Sequence, residues 1–127
     1  MGEAPNGDGP VRLLLVSDHR AAGDALTAYL ERHGIEVVAR VTTPGAAAEA
    51  AAMLSPDVAL VDAEVACGWR PVVVTLGSVL NSHRIALLSS YWSQHERREA
   101  TRTGIGATIL KRVTGGALAL QLRSLAV

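Results

Sequence analysis

The chain has 127 residues, the size of one folded domain. It is 49% hydrophobic and 19% charged, which is too apolar for a disordered chain. Twelve Lys and Arg balance twelve Asp and Glu, so the overall basic bias of a stand-alone nucleic-acid binder is missing, although a local patch survives that arithmetic. The only aromatics are Tyr29, Trp69, Tyr91 and Trp92, so the core must come from Ala, Val, Leu and Ile. A single cysteine, Cys67, excludes an internal disulfide framework and a multi-cysteine zinc site, and suits a reducing cytoplasm. No apolar run approaches the ~18 residues of a membrane span. Nor does the N-terminus have the basic-then-apolar layout of a signal peptide. These features predict a small, soluble, cytoplasmic domain.

Residues 1–10 are Gly, Pro and polar residues without periodicity and are expected to form a flexible leader, with the folded domain running over 11–127. Five short apolar runs follow: Arg12–Val16, Ile35–Val41, Asp57–Val61, Arg84–Leu88 and Ala107–Leu110. Three are nearly continuous rather than alternating, as in parallel strands covered on both faces. The first connection carries Ala22, Ala25, Leu26, Tyr29, Leu30 and His33 at helical spacing, with Gly34 as a stop. In the second, Thr43 and Pro44 form a cap and first turn, Ala47, Ala50, Ala51 and Leu54 form a stripe, and Pro56 ends it. Val72 to Thr75 in the third connection has strand propensity. The wider spacing of Trp69, Val72, Val73, Leu76, Val79 and Leu80 is helical, and a helix is expected there. Ser93 and Glu96 form a capping box at the head of a fourth helix that runs to Gly104. The last helix starts near Thr114 and presents Leu118, Leu122 and Leu125, and any apolar edge it leaves uncovered is a candidate dimer surface. Five β-α units in succession predict an α/β domain of flavodoxin-like, doubly wound type: a five-stranded parallel sheet with helices on both faces.

Ligands of open α/β sheets sit outside the carboxyl ends of the strands, beside the point where strand order reverses. The polar residues at those ends are Ser17 and Asp18, Asp62, Ser89 and Ser90, and Lys111. Each has a plainer reading. Asp18 suits a helix cap, Ser89 suits a hydroxyl that satisfies backbone groups, and Lys111 alone suits an exposed rim. Together they offer two carboxylates, a hydroxyl and an ammonium on one rim.

The stretches VRLLLVSDH (11–19), PDVALVDAE (56–64), RIALLSSY (84–91) and ATILKR (107–112) resemble the CheY-like receiver domain of two-component response regulators. The separations of 44 residues from Asp18 to Asp62 and 22 from Ser89 to Lys111 are similar to that family's. VSDH and GIEVVARV look most like receivers that precede LuxR/NarL-type DNA-binding domains. The resemblance runs from Val11 to about Leu125. It implies the strand order 2-1-3-4-5, Asp62 as phosphoacceptor, Ser89 as the hydroxyl that meets the phosphoryl group and Lys111 as its counter-charge. It also implies Mg²⁺ bound by Asp18, Asp62 and the backbone carbonyl of Glu64. The implied partners are a histidine kinase, a second copy in a homodimer, and DNA only through an effector domain outside these residues.

Several positions depart from the family pattern. Ser17 stands where the first of two acidic residues is usual, so a weakly held Mg²⁺ is expected, with Lys111 partly in the ion's place. Thr108 stands where a switch aromatic is usual, Arg112 where Pro or Asp follows the lysine, and the loop after Asp62 is short and lacks the usual proline. The leading expectation is an atypical receiver in phosphorelay signalling. The alternative is a phosphorylation-independent module that binds a small molecule or serves as a dimerisation or interaction domain.

The remaining residues carry weaker signals. An independent enzyme has little support, because no nucleophile–base pair or cofactor loop is evident. Cys67 and Trp69 read as packing or loop residues, and His19, His33, His83 and His95 share no metal-ligand spacing. Gly104-Ile105-Gly106 precedes a strand and so is no phosphate cradle. Arg97, Arg98 and Arg102 read as a solvated face interleaved with Glu96 and Glu99, with a partner surface as the sharper alternative.

Overall fold

A computed structural model describes residues 9–127. Most of the expected leader, residues 1–8, therefore lies outside the described residues. The strands are β1 (Val11–Val16), β2 (Ile35–Val41), β3 (Val58–Asp62), β4 (Ile85–Ser89) and β5 (Ala107–Leu110). The helices are α1 (Arg20–Arg32), α2 (Pro44–Leu54), α3 (Trp69–Leu76), α4 (Gln94–Arg102) and α5 (Gly115–Leu125). All strand pairs are parallel, in the order β2-β1-β3-β4-β5, so the order reverses between β1 and β3. Both β3 and β4 begin and end one residue later than the apolar runs suggest, which makes Asp62 and Ser89 the last residues of their strands.

The strand pleat divides the core into two layers. Leu14, Val16, Ala59, Val61, Ile85 and Leu87 face α2 and α3, where they pack with Ala47, Ala51, Trp69, Val72, Val73 and Leu76. Leu13, Leu15, Val58, Leu60, Ala86 and Leu88 face α1 and α5 and meet Leu30, Leu118, Ala119 and Leu122. With both faces covered, each strand needs apolar residues at successive positions, which explains the unbroken LLLV and VALV runs.

The helix signals work locally. Thr43 Oγ1 accepts from Ala46 N at 3.2 Å, and Pro44 occupies the first turn of α2. The Ser93–Glu96 capping box forms, with Glu96 N donating to Ser93 Oγ at 3.0 Å. Gly34 follows α1 with φ +81°, a conformation that costs glycine little. The run at 69–76 is helical as the spacing predicts, but α3 stops at Leu76 and leaves Val79 exposed.

The inward face of α1 differs from expectation. Ala22, Ala25, Tyr29 and His33 are exposed, while Gly23 and Leu30 are buried and Leu26 and Thr27 half-buried. The true stripe contains a glycine and a threonine, so hydrophobicity alone points one position off. In α5, Leu118 and Leu122 are buried as expected, with Ala119 beside them, while Leu125 is only partly covered.

Gly106 enters β5 at a close backbone approach. A Cβ there would lie 2.1 Å from the His83 carbonyl oxygen and 2.6 Å from Leu125 Cδ2. The carbonyl belongs to the backbone and cannot swing away, so Gly106→Ala should destabilise the fold by about 1–3 kcal/mol. Urea unfolding would measure the loss, and an unchanged midpoint would contradict the packing at this turn.

Candidate functional site

The site lies at the carboxyl edge of the sheet. Asp62 ends β3, the central strand, and is only 6% exposed. Lys111 follows β5 directly, and its backbone N donates to Ser89 O at 2.8 Å, which ties the end of β5 to the end of β4. From that anchor its side chain crosses the strand ends, and Nζ lies 3.1 Å from Asp62 Oδ1 and 3.3 Å from Oδ2. Asp62 Oδ1 also accepts from Glu64 N at 2.9 Å, an Asx-type turn that starts the following loop. The buried carboxylate is thus compensated by one ammonium and one amide.

Only the backbone carbonyl of Glu64 is implied by the resemblance in sequence. The structure brings its side chain into the centre of the rim. Glu64 Oε1 accepts from Lys111 Nζ at 2.9 Å. Oε2 accepts from Ser90 N at 3.1 Å, from the Ser90 hydroxyl, and from Ser89 Oγ at 3.4 Å. The Ser90 hydroxyl, Lys111 and the Ser90 amide together hold the Glu64 carboxyl down at about 2, so it is ionised at neutral pH. Burial draws the Lys111 ammonium downward, but the bonds to Glu64 and Asp62 outweigh it and its pKa lies above the ordinary lysine value. The single Ser89 hydroxyl proton has Tyr91 O as its nearer acceptor at 2.9 Å, a backbone-satisfying role, with Glu64 Oε2 at 3.4 Å as the weaker alternative.

Asp18 is on the same rim but faces a different partner. Its Oδ2 accepts from Ala66 N at 2.7 Å and ties the β1 end to the loop after β3. A cavity of about 310 Å³ beside it is lined by Ser17, Asp18, Arg20, Arg40 and Thr42. A smaller one of about 160 Å³ is lined in part by Ser17, Asp62, Leu88 and Lys111. Ser17 lies on both. A carboxylate there would face both cavities. Among the described residues no group of three or more His, Cys, Asp or Glu side chains is arranged to hold a metal ion. Magnesium needs only one or two carboxylates beside water and phosphate oxygens. Asp18 and Asp62 are hard donors of that kind, so the residues fit the ion in chemical type with a minimal donor set.

Among the other singled-out residues, Trp69 is buried and Cys67 is exposed in the loop after β3. The acidic residues of α4 are engaged: Glu96 caps its own helix and Glu99 pairs bidentately with Arg70 of α3. Arg97, Arg98 and Arg102 line a groove with Trp92, Gln94 and Thr101. Trp92 is buried, and its indole Nε1 donates to Ile109 O at 3.1 Å. It borders Thr108 in a neighbouring cavity. Ser89 and Ser90 stand at the strand end where the sequence puts them, whereas the Glu64 carboxylate, two positions after Asp62, is the rim group it did not mark.

Sheet order, crossover pattern and rim geometry define a flavodoxin-like fold of the CheY-like receiver type. Comparison by sequence with protein families and with characterised proteins gives no match. Among solved structures, the chain is similar to receiver domains of response regulators. The signal receiver domain of the response regulator NarL from Mycobacterium tuberculosis is 22% identical with a TM-score of 0.81, over 93% of this chain and 97% of that one. A LuxR-family two-component response regulator from an Aurantimonas species is 19% identical at 0.84, over 93% and 86%. The BeF3-activated N-terminal receiver domain of Klebsiella pneumoniae RstA is 26% identical at 0.77, over 91% and 97%. Among the described residues, no helix is long and apolar enough to cross a membrane.

Proposed function

We propose that the chain is the receiver module of a response regulator, an atypical one that accepts a phosphoryl group on Asp62 in phosphorelay signalling. The observation that carries this reading is the buried Asp62 carboxylate at the carboxyl end of the central strand, 3.1 Å from the Lys111 ammonium beside the reversal of strand order. In the reaction an Asp62 oxygen attacks the phosphorus of a donor. The bond from phosphorus to the donor's leaving atom breaks, and that atom keeps the electron pair. Lys111 would offset the charge that gathers on the phosphoryl oxygens, and the hydroxyl of Ser89 and the amide of Ser90, now donating to a carboxylate oxygen of Glu64, would receive them. Asp18, Asp62 and the backbone carbonyl of Glu64 would hold Mg²⁺, weakly because Ser17 supplies no carboxylate. When bound, the ion adds positive charge against the phosphoryl oxygens.

The donor is proposed to be the phosphohistidine of a histidine kinase. The output would be control of a partner, a second copy, or a DNA-binding effector domain outside these residues. A second reading is a phosphorylation-independent interaction module. It is favoured by the missing acid at Ser17 and by Arg20 and Arg40 lining the cavity beside Asp18. Incubation with Mg²⁺ and a small-molecule phosphodonor separates the two. Intact mass should rise by one phosphoryl group, and Asp62→Asn should abolish the gain. A wild-type chain that stays unmodified would favour the interaction module.

A further inference from the structure

The Glu64 carboxylate sits on the groups that a phosphoryl group on Asp62 would need. One oxygen takes the Lys111 ammonium at 2.9 Å. The other takes the Ser90 amide at 3.1 Å, the Ser90 hydroxyl, and the Ser89 hydroxyl at 3.4 Å. Its own backbone amide donates to Asp62 Oδ1 at 2.9 Å, so the residue is anchored beside the acceptor, and its side chain shares the Lys111 ammonium with it. A carboxylate and a phosphoryl group share one recognition chemistry: anionic oxygens that accept from an ammonium, amides and hydroxyls. The same donors cannot serve both at full strength.

From this juxtaposition we propose that Glu64 is an internal occupant of the phosphoryl-receiving groups, and that an anion joins Asp62 only by displacing the Glu64 side chain. The inference rests on the receiver reading and adds to it a residue that sets the threshold of the site. In the resting state Glu64 gives Lys111 a second carboxylate beside Asp62 and gives the Ser89–Ser90 pair an acceptor. Because the Glu64 side chain is about half exposed, with a relative side-chain accessibility of 47%, water is available to receive it when it swings out. Occupation of the site then releases Glu64 from Ser90 and changes the β4–α4 loop, which is continuous with Trp92.

Beryllofluoride, added in the presence of Mg²⁺ as a phosphoryl mimic, tests the proposal without any transfer step. Wild type, Glu64→Gln and Glu64→Ala would be titrated, with backbone amide shifts of Ser89, Ser90 and Lys111 as the readout and thermal melts confirming that each variant is folded. Both variants should bind the mimic about tenfold more tightly than wild type, since removing the competing charge frees about one strong charge-assisted hydrogen bond. In the mimic-free protein, both substitutions should also move the Ser90 amide resonance. Saturable binding with equal or weaker affinity in the variants would overturn the role of Glu64 and leave the receiver reading standing. Absence of saturable shifts in all three proteins would overturn both. Glu64→Gln keeps the side-chain size, so a folding defect confined to Glu64→Ala leaves the comparison intact.

Discussion

Lys111→Met should slow phosphoryl transfer to Asp62 by about 100-fold or more, the usual cost of removing one charge-stabilising donor from a reacting centre. The Lys111 ammonium touches two carboxylates of the rim, at 3.1 Å from Asp62 and 2.9 Å from Glu64. Methionine keeps the length and apolar character of the stem but removes the ammonium. The attacking carboxylate then meets a multiply charged phosphoryl group with no fixed positive charge nearby. A time course of intact mass with a small phosphodonor measures the effect directly, and a rate within threefold of wild type would remove Lys111 from the mechanism. The same substitution leaves two carboxylates close together without their shared partner. Stability should therefore fall as well, and part of that fall should be recovered in the double variant with Glu64→Gln, because one of the two repelling charges is gone.

The largest effect on stability is expected at Trp92. Trp92→Ala should cost about 3–5 kcal/mol, as truncation of a buried large aromatic does, with a fall in Tm of roughly 10 °C or more. The ring is 7% exposed, packs into the α2–α3 core layer and donates from Nε1 to Ile109 O at 3.1 Å. That oxygen belongs to β5, an edge strand with β4 as its only neighbour, so the indole both fills volume and satisfies an edge carbonyl. Trp92→Phe separates the two contributions. It keeps most of the ring and should cost closer to about 1 kcal/mol, the net worth of one hydrogen bond. Denaturant unfolding of the pair measures both, and equal losses would mean that the indole N–H, not the volume, anchors the edge.

The legible part of the fold is the part set by local pattern. Continuous apolar runs such as LLLV and VALV mark strands covered on both faces, and Thr43, Ser93, Gly34 and Pro44 mark helix ends, because each of those effects is complete within a few residues. The face of α1 was not legible. Its buried row runs through Gly23 and Thr27, which hydrophobicity does not distinguish from a solvated row, and the close approach of other elements turns that row inward. Asp62 and Lys111 were legible as a pair because each ends or follows a strand, and parallel strands bring their carboxyl ends to one edge.

The role of the Glu64 side chain was not legible, because its partners Ser89, Ser90 and Lys111 lie 25, 26 and 47 residues away and only the closed sheet sets the distances. Trp92 is a similar case. As a residue in a loop it carries no signal, and its value comes from an edge strand 17 residues further along the chain. By itself, then, the amino-acid order determined five β-α units, the carboxylate Asp62 at the end of the third strand and the absence of an acid at Ser17. Only the tertiary structure decided that Asp18 turns to Ala66, that Glu64 shares the Lys111 ammonium with Asp62 and that Trp92 closes the β5 edge. Those contacts are choices among competing polar partners and packing volumes, and they are made when the strand ends and their loops come within hydrogen-bonding distance of one another.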